Sequence, residues 1–396
     1  MITRVTIRNF RSIREAELEL AAINVFYGPT ASGKSSILYA LLVLKNFIAN
    51  PNRSADAFFD FGFANLGGFE ACVADHDVTR TIAIACELKE ERGLGRYSVK
   101  FGPAEAEIVL GMDPLVELHG RVTLPYPVSR NFTATIPLIG AGEVTVNWNG
   151  LAVSVATAAG APEAQEEAER IERDLNRIVE RLRETDIAPQ RRGFYKPTYS
   201  PTPLSPLPWS DDEVASIILS DQNLAPKISV LSERIVGRDF RIHTPLGTAM
   251  AFLQTTEKAT VTPSLLVNDG FGVNQVVYLL AKLLNPKARV ILIEEPEVHL
   301  HPTVQRNLAR EICRIVREER KQVLLTTHSE TFVSSLLALV AEGGFSAGDL
   351  ALYFCEKQGR ESRPTRQKVN EAGQVEGGLR SFIEAELEDL RKILKI

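Results

Sequence analysis

Little in this chain points to a secreted, disulfide-stapled or metal-clustered protein. It has only four cysteines, Cys72, Cys86, Cys313 and Cys355. They lie far apart, form no C-x-x-C pair and offer no structural zinc set, so they read as buried small hydrophobes in a reducing compartment. Long apolar runs are also missing. "ILYALLVL" (Ile37 to Leu44) stops at Lys45 and is far shorter than a membrane span. The N-terminal "MITRVTIRNFRSI" is interrupted by arginines and has no signal-peptide apolar core, so the expected location is the cytoplasm, with no membrane partner. A strong charge of one sign is absent too. The net charge of −5 excludes wholesale coating of nucleic acid while leaving room for a local basic patch. What remains, with 44% hydrophobic and 24% charged residues in a 396-residue chain, is an ordinary globular composition large enough for one large or two ordinary domains.

Against that plain background one stretch stands out. "GPTASGKSS" fits G-x-x-x-x-G-K-[ST], with Gly28, Gly33, Lys34 and Ser35 in the fixed places. It follows "INVFY" (Ile23 to Tyr27), an apolar run suited to a fully buried strand, and it opens into "SSILYALLVLKNF", which reads as a helix. Strand, glycine loop and helix in that order are the context a phosphate cradle requires. Glycines let backbone N–H groups turn towards phosphate oxygens. The cradle spans Gly28, Pro29, Thr30, Ala31, Ser32, Gly33, Lys34, Ser35 and Ser36. Lys34 would neutralise the β- and γ-phosphates, and the Ser35 hydroxyl would ligate Mg²⁺.

Two further strand ends carry chemistry. "VILIEEP" delivers Glu294 and Glu295 from four buried apolar residues to the carboxyl end of a strand, where ligands bind in open α/β sheets. Glu294 would hold Mg²⁺, and Glu295 would orient or activate the attacking water. After the amphipathic "TVQRNLAREICRIVREERK", "QVLLTTHSE" is a second buried strand, ending at His328, whose imidazole could contact the γ-phosphate and position the water. Strand, helix, strand implies a parallel βαβ unit. His299 and His301 in "EVHLHP" read as loop packing or a subunit contact rather than metal ligands.

The rest of the chain is organised around these motifs. From about Val78 to Val155, β-rich segments broken by turn residues read as an antiparallel meander, with "NWNG" (Asn147 to Gly150) as a hairpin. Pro162 to Glu184 is a charged helix of about 35 Å. Ile171, Leu175, Ile178 and Leu182 form its single apolar stripe, which marks a packed insertion rather than a coiled-coil arm. A proline-rich loop (Tyr195 to Trp209) and a second helical stretch, Asp211 to Val236, follow. The basic clusters "APQRRG" and "QGRESRPTRQK" read as solvated loops.

Taken in order, P-loop, glycine-rich "NDGFG" (Asn268 to Gly272), acidic strand and histidine strand resemble the ABC-type ATPase heads of the RecF, SMC and OLD group. Glu295 lies 23 residues after Gly272, and His328 lies 33 after Glu295. "IEEPEVHLHP" and "TTHS" resemble the Walker B/D-loop and switch-histidine motifs of the OLD-like branch, and "NFRS" (Asn9 to Ser12) resembles that group's N-terminal motif, which implies Arg11 near nucleotide. The resemblance implies an α/β P-loop NTPase, an ABC-ATPase-like head with a mixed or parallel core sheet, an antiparallel β lobe and a helical insertion. Residues 1–160 and 245–396 would form the two parts of the head and 161–244 the insertion. It also implies that two heads stack head to tail on ATP, with Asn268, Asp269, Gly270 and Gly272 of one facing the γ-phosphate held by the other. This chain departs from the pattern in having Glu294 where most members have Asp, Asp269 near the usual signature Ser, and no placeable Q-loop glutamine. OLD nucleases end in a Toprim domain with a D-x-D site. No D-x-D follows His328, and "DHD" (Asp75 to Asp77) reads as a turn, so an intrinsic nuclease is not expected. "GGLRSFIEAELEDLRKILKI" reads as a small terminal helix. The expected function is a Mg-dependent ATPase in DNA repair or in phage or plasmid defence, acting on DNA or with a separately encoded nuclease or effector. The alternative is an ATP-gated protein scaffold without nucleic acid.

Overall fold

The computed structural model describes residues 1–90, 92–126, 132–138, 142–150, 152–157, 162–257 and 262–379. The terminal helix expected from the last twenty residues lies almost wholly outside them. The chain divides into two compact units. One comprises Met1–Leu20, Ser35–Thr185 and Lys357–Arg363, and the other Ala21–Lys34, Asp186–Glu356 and the stretch from Pro364.

The first unit is built on antiparallel sheets. Six strands, Ile2–Phe10, Ile13–Glu19, Ile82–Glu90, Gly93–Phe101, Glu105–Asp113 and Val116–Thr123, form one sheet in which the third strand pairs with the first rather than the second. Alternation of apolar and polar residues buries one face. Ile82, Ile84, Cys86 and Leu88 are fully buried, while the residues between them are only partly so. On that face the rings of Phe10, Phe47, Phe58, Phe59, Phe69 and Phe101 cluster at centroid separations of 5.2–6.5 Å. Phe47 comes from the helix Lys34–Ala49, which is apolar on nearly every side and is accordingly a buried core helix. No helix among the described residues is long and apolar enough to cross a membrane.

The expected meander is present, and the "NWNG" hairpin joins Gly142–Trp148 to Val153–Thr157 with Trp148 opposite Val153. The charged helix runs Pro162–Arg183 and packs its stripe down: Ile171, Leu175, Ile178 and Leu182 are all at most 2% exposed. Asn176 fastens the helix to the hairpin, accepting from the Val153 N–H at 2.8 Å and donating to its carbonyl at 2.9 Å.

The second unit contains a six-stranded sheet in the spatial order Thr185–Ala188, Val290–Glu294, Gln322–Thr327, Ile23–Tyr27, Leu350–Gln358, Glu361–Gln367. The four central strands are parallel. Three of them, Ile23–Tyr27, Val290–Glu294 and Gln322–Thr327, are buried along their whole length, because helices cover both faces of such a sheet. The unit also holds a three-stranded antiparallel sheet, Arg238–His243, Phe252–Glu257 and Pro263–Leu265. The expected helical stretch over Asp211 to Val236 consists of two helices, Asp211–Ser220 and Leu224–Val236. Pro226 explains the break. Without an N–H it fits the first turn of a helix, where none is needed, but not the interior of a continuous one. Ser210 and Glu213 close a reciprocal cap on the first of these helices.

The burial of the Pro162–Arg183 stripe gives a direct test. Ile178→Ala should lower unfolding free energy by about 2–4 kcal/mol, read from a urea denaturation curve. A loss under about 0.5 kcal/mol would mean that the helix is not packed as described.

Candidate functional site

The parallel register assembles the site. Glu294 pairs with Thr326, Thr326 with Phe26, and Phe26 with Tyr353, so four strands end in one row. Immediately beyond that row come Gly28, Glu295 and His328. Backbone geometry changes sharply there. Gly28 has φ +138°, and a Cβ on it would lie 2.2 Å from the Cys355 carbonyl oxygen, so no side chain fits. Ala31 and Gly33 also take positive φ, at +61° and +91°. The Lys34 ammonium reaches back into this loop, donating to the carbonyls of Gly28 (3.0 Å) and Pro29 (2.8 Å), with the Ser32 hydroxyl at 3.5 Å. Burial lowers the Lys34 pKa, opposed by the fields of Glu295 and Glu297. Pro29, Thr30 and Ala31 are exposed or nearly so, apart from the backbone turn they form, while Ser32 is buried. Ser35 and Ser36 continue the helix that Lys34 begins.

The acidic strand ends in a left-handed residue. Glu295 has φ +44°, an unfavourable conformation for a side chain of this size. Its N–H donates to the Thr326 carbonyl at 3.0 Å. Its Oε1 lies 3.4 Å from His328 Nε2. Burial, and then the Lys34 charge, hold the His328 imidazole below its ordinary value, with Glu295 opposing. Two residues on, Glu297 accepts from the Thr327 hydroxyl (2.7 Å) and the His328 N–H (2.8 Å), tying the acidic loop to the histidine strand. Its second oxygen, Oε2, has no partner among the described residues, and burial raises its pKa.

Two participants were not legible in the sequence. The Thr185–Ala188 strand lies beside the acidic strand, and Gln190 just past its end donates its amide to Glu295 Oε2 at 2.8 Å and its N–H to Glu294 Oε2 at 3.3 Å. It lies within "APQRRG", which in the sequence reads only as a solvated basic loop after the helix expected over Pro162 to Glu184, and nothing local marks the four-residue strand that presents it. Arg192 was read as part of a solvated basic loop and is instead 2% exposed. Its guanidinium donates to the carbonyls of Pro189 (2.9 Å), Glu294 (2.6 Å) and Glu295 (2.8 Å).

The glycine-rich "NDGFG" leads into the helix Phe271–Leu284, with Gly270 as its N-cap. Asn268 closes the short 3₁₀ turn before it. The Asp269 carboxylate, 7% exposed, is taken up within the unit by the Thr255 hydroxyl, the Ser264 hydroxyl at 3.3 Å and Arg238 at 3.5 Å. These contacts anchor the turn on the three-stranded sheet. A Cβ on Gly270 would meet nothing within 4 Å, whereas one on Gly272 would lie 3.0 Å from the His299 carbonyl oxygen. Gly270 is therefore the open position and Gly272 a packing position. Phe271 is 66% exposed, with its ring 5.6 Å from that of His299. His301 caps the helix Pro302–Glu318 through Nδ1, which accepts from the Thr303 N–H.

In the other unit, Arg11 occupies the two-residue turn between Ile2–Phe10 and Ile13–Glu19 at φ +54°, its guanidinium 5.8 Å from the ring centre of Tyr39 on the helix that follows the glycine loop. Asp75 of "DHD" is paired with Arg14 and Arg80, and Asp77 with Arg80.

With this geometry in place, comparison with known proteins is decisive about kinship. The AAA ATPase domain family model matches residues 1–181 and 147–333. The chain belongs to this family. It is 21% identical over 360 residues to an OLD nuclease of Thermus scotoductus (strain ATCC 700910 / SA-01), a match covering 84% of this chain and 60% of that protein. The chain thus spans about three fifths of that relative's length. Among solved structures it is similar to an SMC head bound to the C-winged helix domain of ScpA, with a TM-score of 0.53 and 11% identity, covering 94% of this chain and 99% of the other. This AAA-family chain therefore has the α/β P-loop fold of an ABC- and SMC-type head, with mixed sheets, as the order of its motifs implies.

His328 gives a pH test. Because its folded-state pKa lies below the ordinary value of about 6.5, the neutral imidazole is the folded form, and protonation favours unfolding. Its contribution to stability should be complete above about pH 6.5 and lost as pH falls through the lowered folded value. An NMR titration should put the His328 midpoint below 6.5; a midpoint above it would contradict the burial described.

Proposed function

We propose that this chain binds Mg-ATP at the carboxyl edge of its parallel sheet and hydrolyses it. The observation that carries the reading is the shared edge itself: one register row sets the glycine loop with Lys34, the left-handed Glu295 and His328 side by side. Gly28, Pro29, Thr30, Ala31, Ser32, Gly33, Lys34, Ser35 and Ser36 cradle the phosphates, and Lys34 exchanges its loop carbonyls for phosphate oxygens. The Ser35 hydroxyl and the Glu294 carboxylate are the hard oxygen donors that Mg²⁺ takes, and bound metal would neutralise charge on the β- and γ-phosphates. Glu295 receives or orients the proton of the attacking water, with Gln190 fixing one carboxylate oxygen and His328 beside the other. His328 donates towards the γ-phosphate as its charge develops. Arg11 would contact the nucleotide, as the resemblance of "NFRS" implies.

On the same reading, two copies close around ATP. Asn268, Gly270 and the N-terminal N–H groups of the Phe271–Leu284 helix face the partner's γ-phosphate, while Asp269 shapes the turn from within. The kinship with an OLD nuclease supports a role on DNA, in repair or in phage or plasmid defence, with a separately encoded nuclease or effector as the acting partner. The expected compartment is the cytoplasm.

Lys34→Ala should bind Mg-ATP at least about 100-fold more weakly while keeping the wild-type melting temperature. Calorimetry showing unchanged affinity would end the phosphate-cradle reading. Glu295→Gln should stop hydrolysis and accumulate as an ATP-bound dimer in light scattering. Adding Gly270→Leu should return it to monomer, since that position is open in the single chain and crowded only across a pair. A Glu295→Gln protein that stays monomeric in saturating Mg-ATP would refute the pairing and leave the ATPase reading to the Lys34 result.

A further inference from the structure

We infer that Arg192 is a positioning residue for hydrolysis: its buried guanidinium clamps the carbonyls of Glu294 and Glu295 and so sets the direction of the Glu295 carboxylate. The inference rests on the ATPase reading above.

Four observations meet at this side chain. A guanidinium taken fully out of water is expensive unless paired, yet among the described residues Arg192 forms no carboxylate salt bridge, its hydrogen-bond partners are three neutral carbonyls, and its Nε has no partner. Burial depresses its pKa to about 10, which still leaves it charged at neutral pH. Second, two of the three carbonyls belong to the residues that flank the strained turn. Glu295 at φ +44° would relax towards an ordinary conformation if its carbonyl were free, and a left-handed residue persists only where its surroundings over-determine it. Here the Glu295 N–H is fixed by Thr326 and its carbonyl by Arg192.

Third, the remaining carbonyl is that of Pro189, next to Gln190, whose amide holds Glu295 Oε2. One side chain therefore locks both the backbone that carries the acid and the segment that orients its carboxylate. Fourth, the same segment continues to Phe194, whose N–H and carbonyl are both bonded by the Asn274 side chain on the Phe271–Leu284 helix, at 2.7 and 2.8 Å. The segment from Pro189 to Phe194 thus connects the acidic strand end with the helix behind "NDGFG". A planar guanidinium holds its carbonyl partners in one fixed fork geometry across a wide span, whereas a lysine ammonium is a compact point charge with freely rotating donors and a shorter reach, so it cannot span Pro189, Glu294 and Glu295 with the same directionality.

Arg192→Lys separates this role from simple packing. Since displacement of a catalytic group by about 1 Å can cost on the order of 100-fold, kcat for Mg-ATP should fall at least tenfold. ATP Kd and KM should stay within about threefold of wild type, because the phosphate cradle is untouched. In a cycle with Gln190→Ala, the combined loss in kcat should be smaller than the product of the single losses, since both act on one carboxylate. An unchanged kcat overturns the inference. So does a variant that loses ATP binding or folding together with turnover, which would make Arg192 a structural residue, and so does full multiplicativity in the cycle. If the wild-type protein hydrolyses no ATP, the functional reading itself falls. If it does and Arg192→Lys matches it, only the Arg192 inference falls.

Discussion

The parallel pairing of four buried strands is the constraint on which the rest of the second unit depends. Once Glu294, Thr326, Phe26 and Tyr353 share a row, the residues that follow them are obliged to emerge together. Each strand then has to leave the sheet at the same edge, within a few residues and without colliding with its neighbours. Gly28 shows how tight that exit is: the Cys355 carbonyl occupies the space a side chain would need. The candidate site sits where the backbone is forced to turn, at the carboxyl edge where ligands bind in open α/β sheets.

Around that edge, burial does most of the electrostatic tuning. Desolvation is the largest influence on Lys34, His328 and Glu297 alike, and it pushes each towards its neutral form. For His328 the direction is towards the neutral imidazole, with the Lys34 charge acting in the same sense and Glu295 opposing. Glu297 is the opposite case, a carboxyl kept inside to bridge two loops through the Thr327 hydroxyl and the His328 N–H. Its raised pKa means that the folded state favours the protonated acid. The stability it lends is therefore complete below the usual Glu value and declines as pH rises through the raised one.

The glycine-rich turn illustrates how similar residues acquire different duties. Asp269 looks misplaced beside a phosphate until its partners are seen; Thr255, Ser264 and Arg238 turn the carboxylate inward and make it an anchor. Gly272 is small because His299 passes behind it, and Gly270 is unobstructed. His299 and His301 likewise serve the loop, one beside Phe271 and the other as a helix cap.

The sequence alone determined the elements with strong local grammar. The glycine loop between a buried strand and a helix, the acids ending "VILI", the histidine ending "QVLLTT" and the apolar stripe from Ile171 to Leu182 were all readable, because each is written in consecutive residues or at helical spacing. From these the P-loop class and the order of the core followed. Tertiary structure alone decided what depends on residues brought together from distant positions. Gln190 and Arg192 are over a hundred residues from the acids they hold, and nothing local marks them: the strand before Gln190 is four residues long, and Arg192 sits in a stretch whose charge reads as solvent-exposed. The break at Asp221–Asn223 has a local mark in Pro226, which suits the first turn of a helix and not its interior, but where the two helices pack is set by the rest of the unit. Local pattern fixes which elements form. Which loop meets which carbonyl is settled by sheet order, and sheet order is a property of the whole chain.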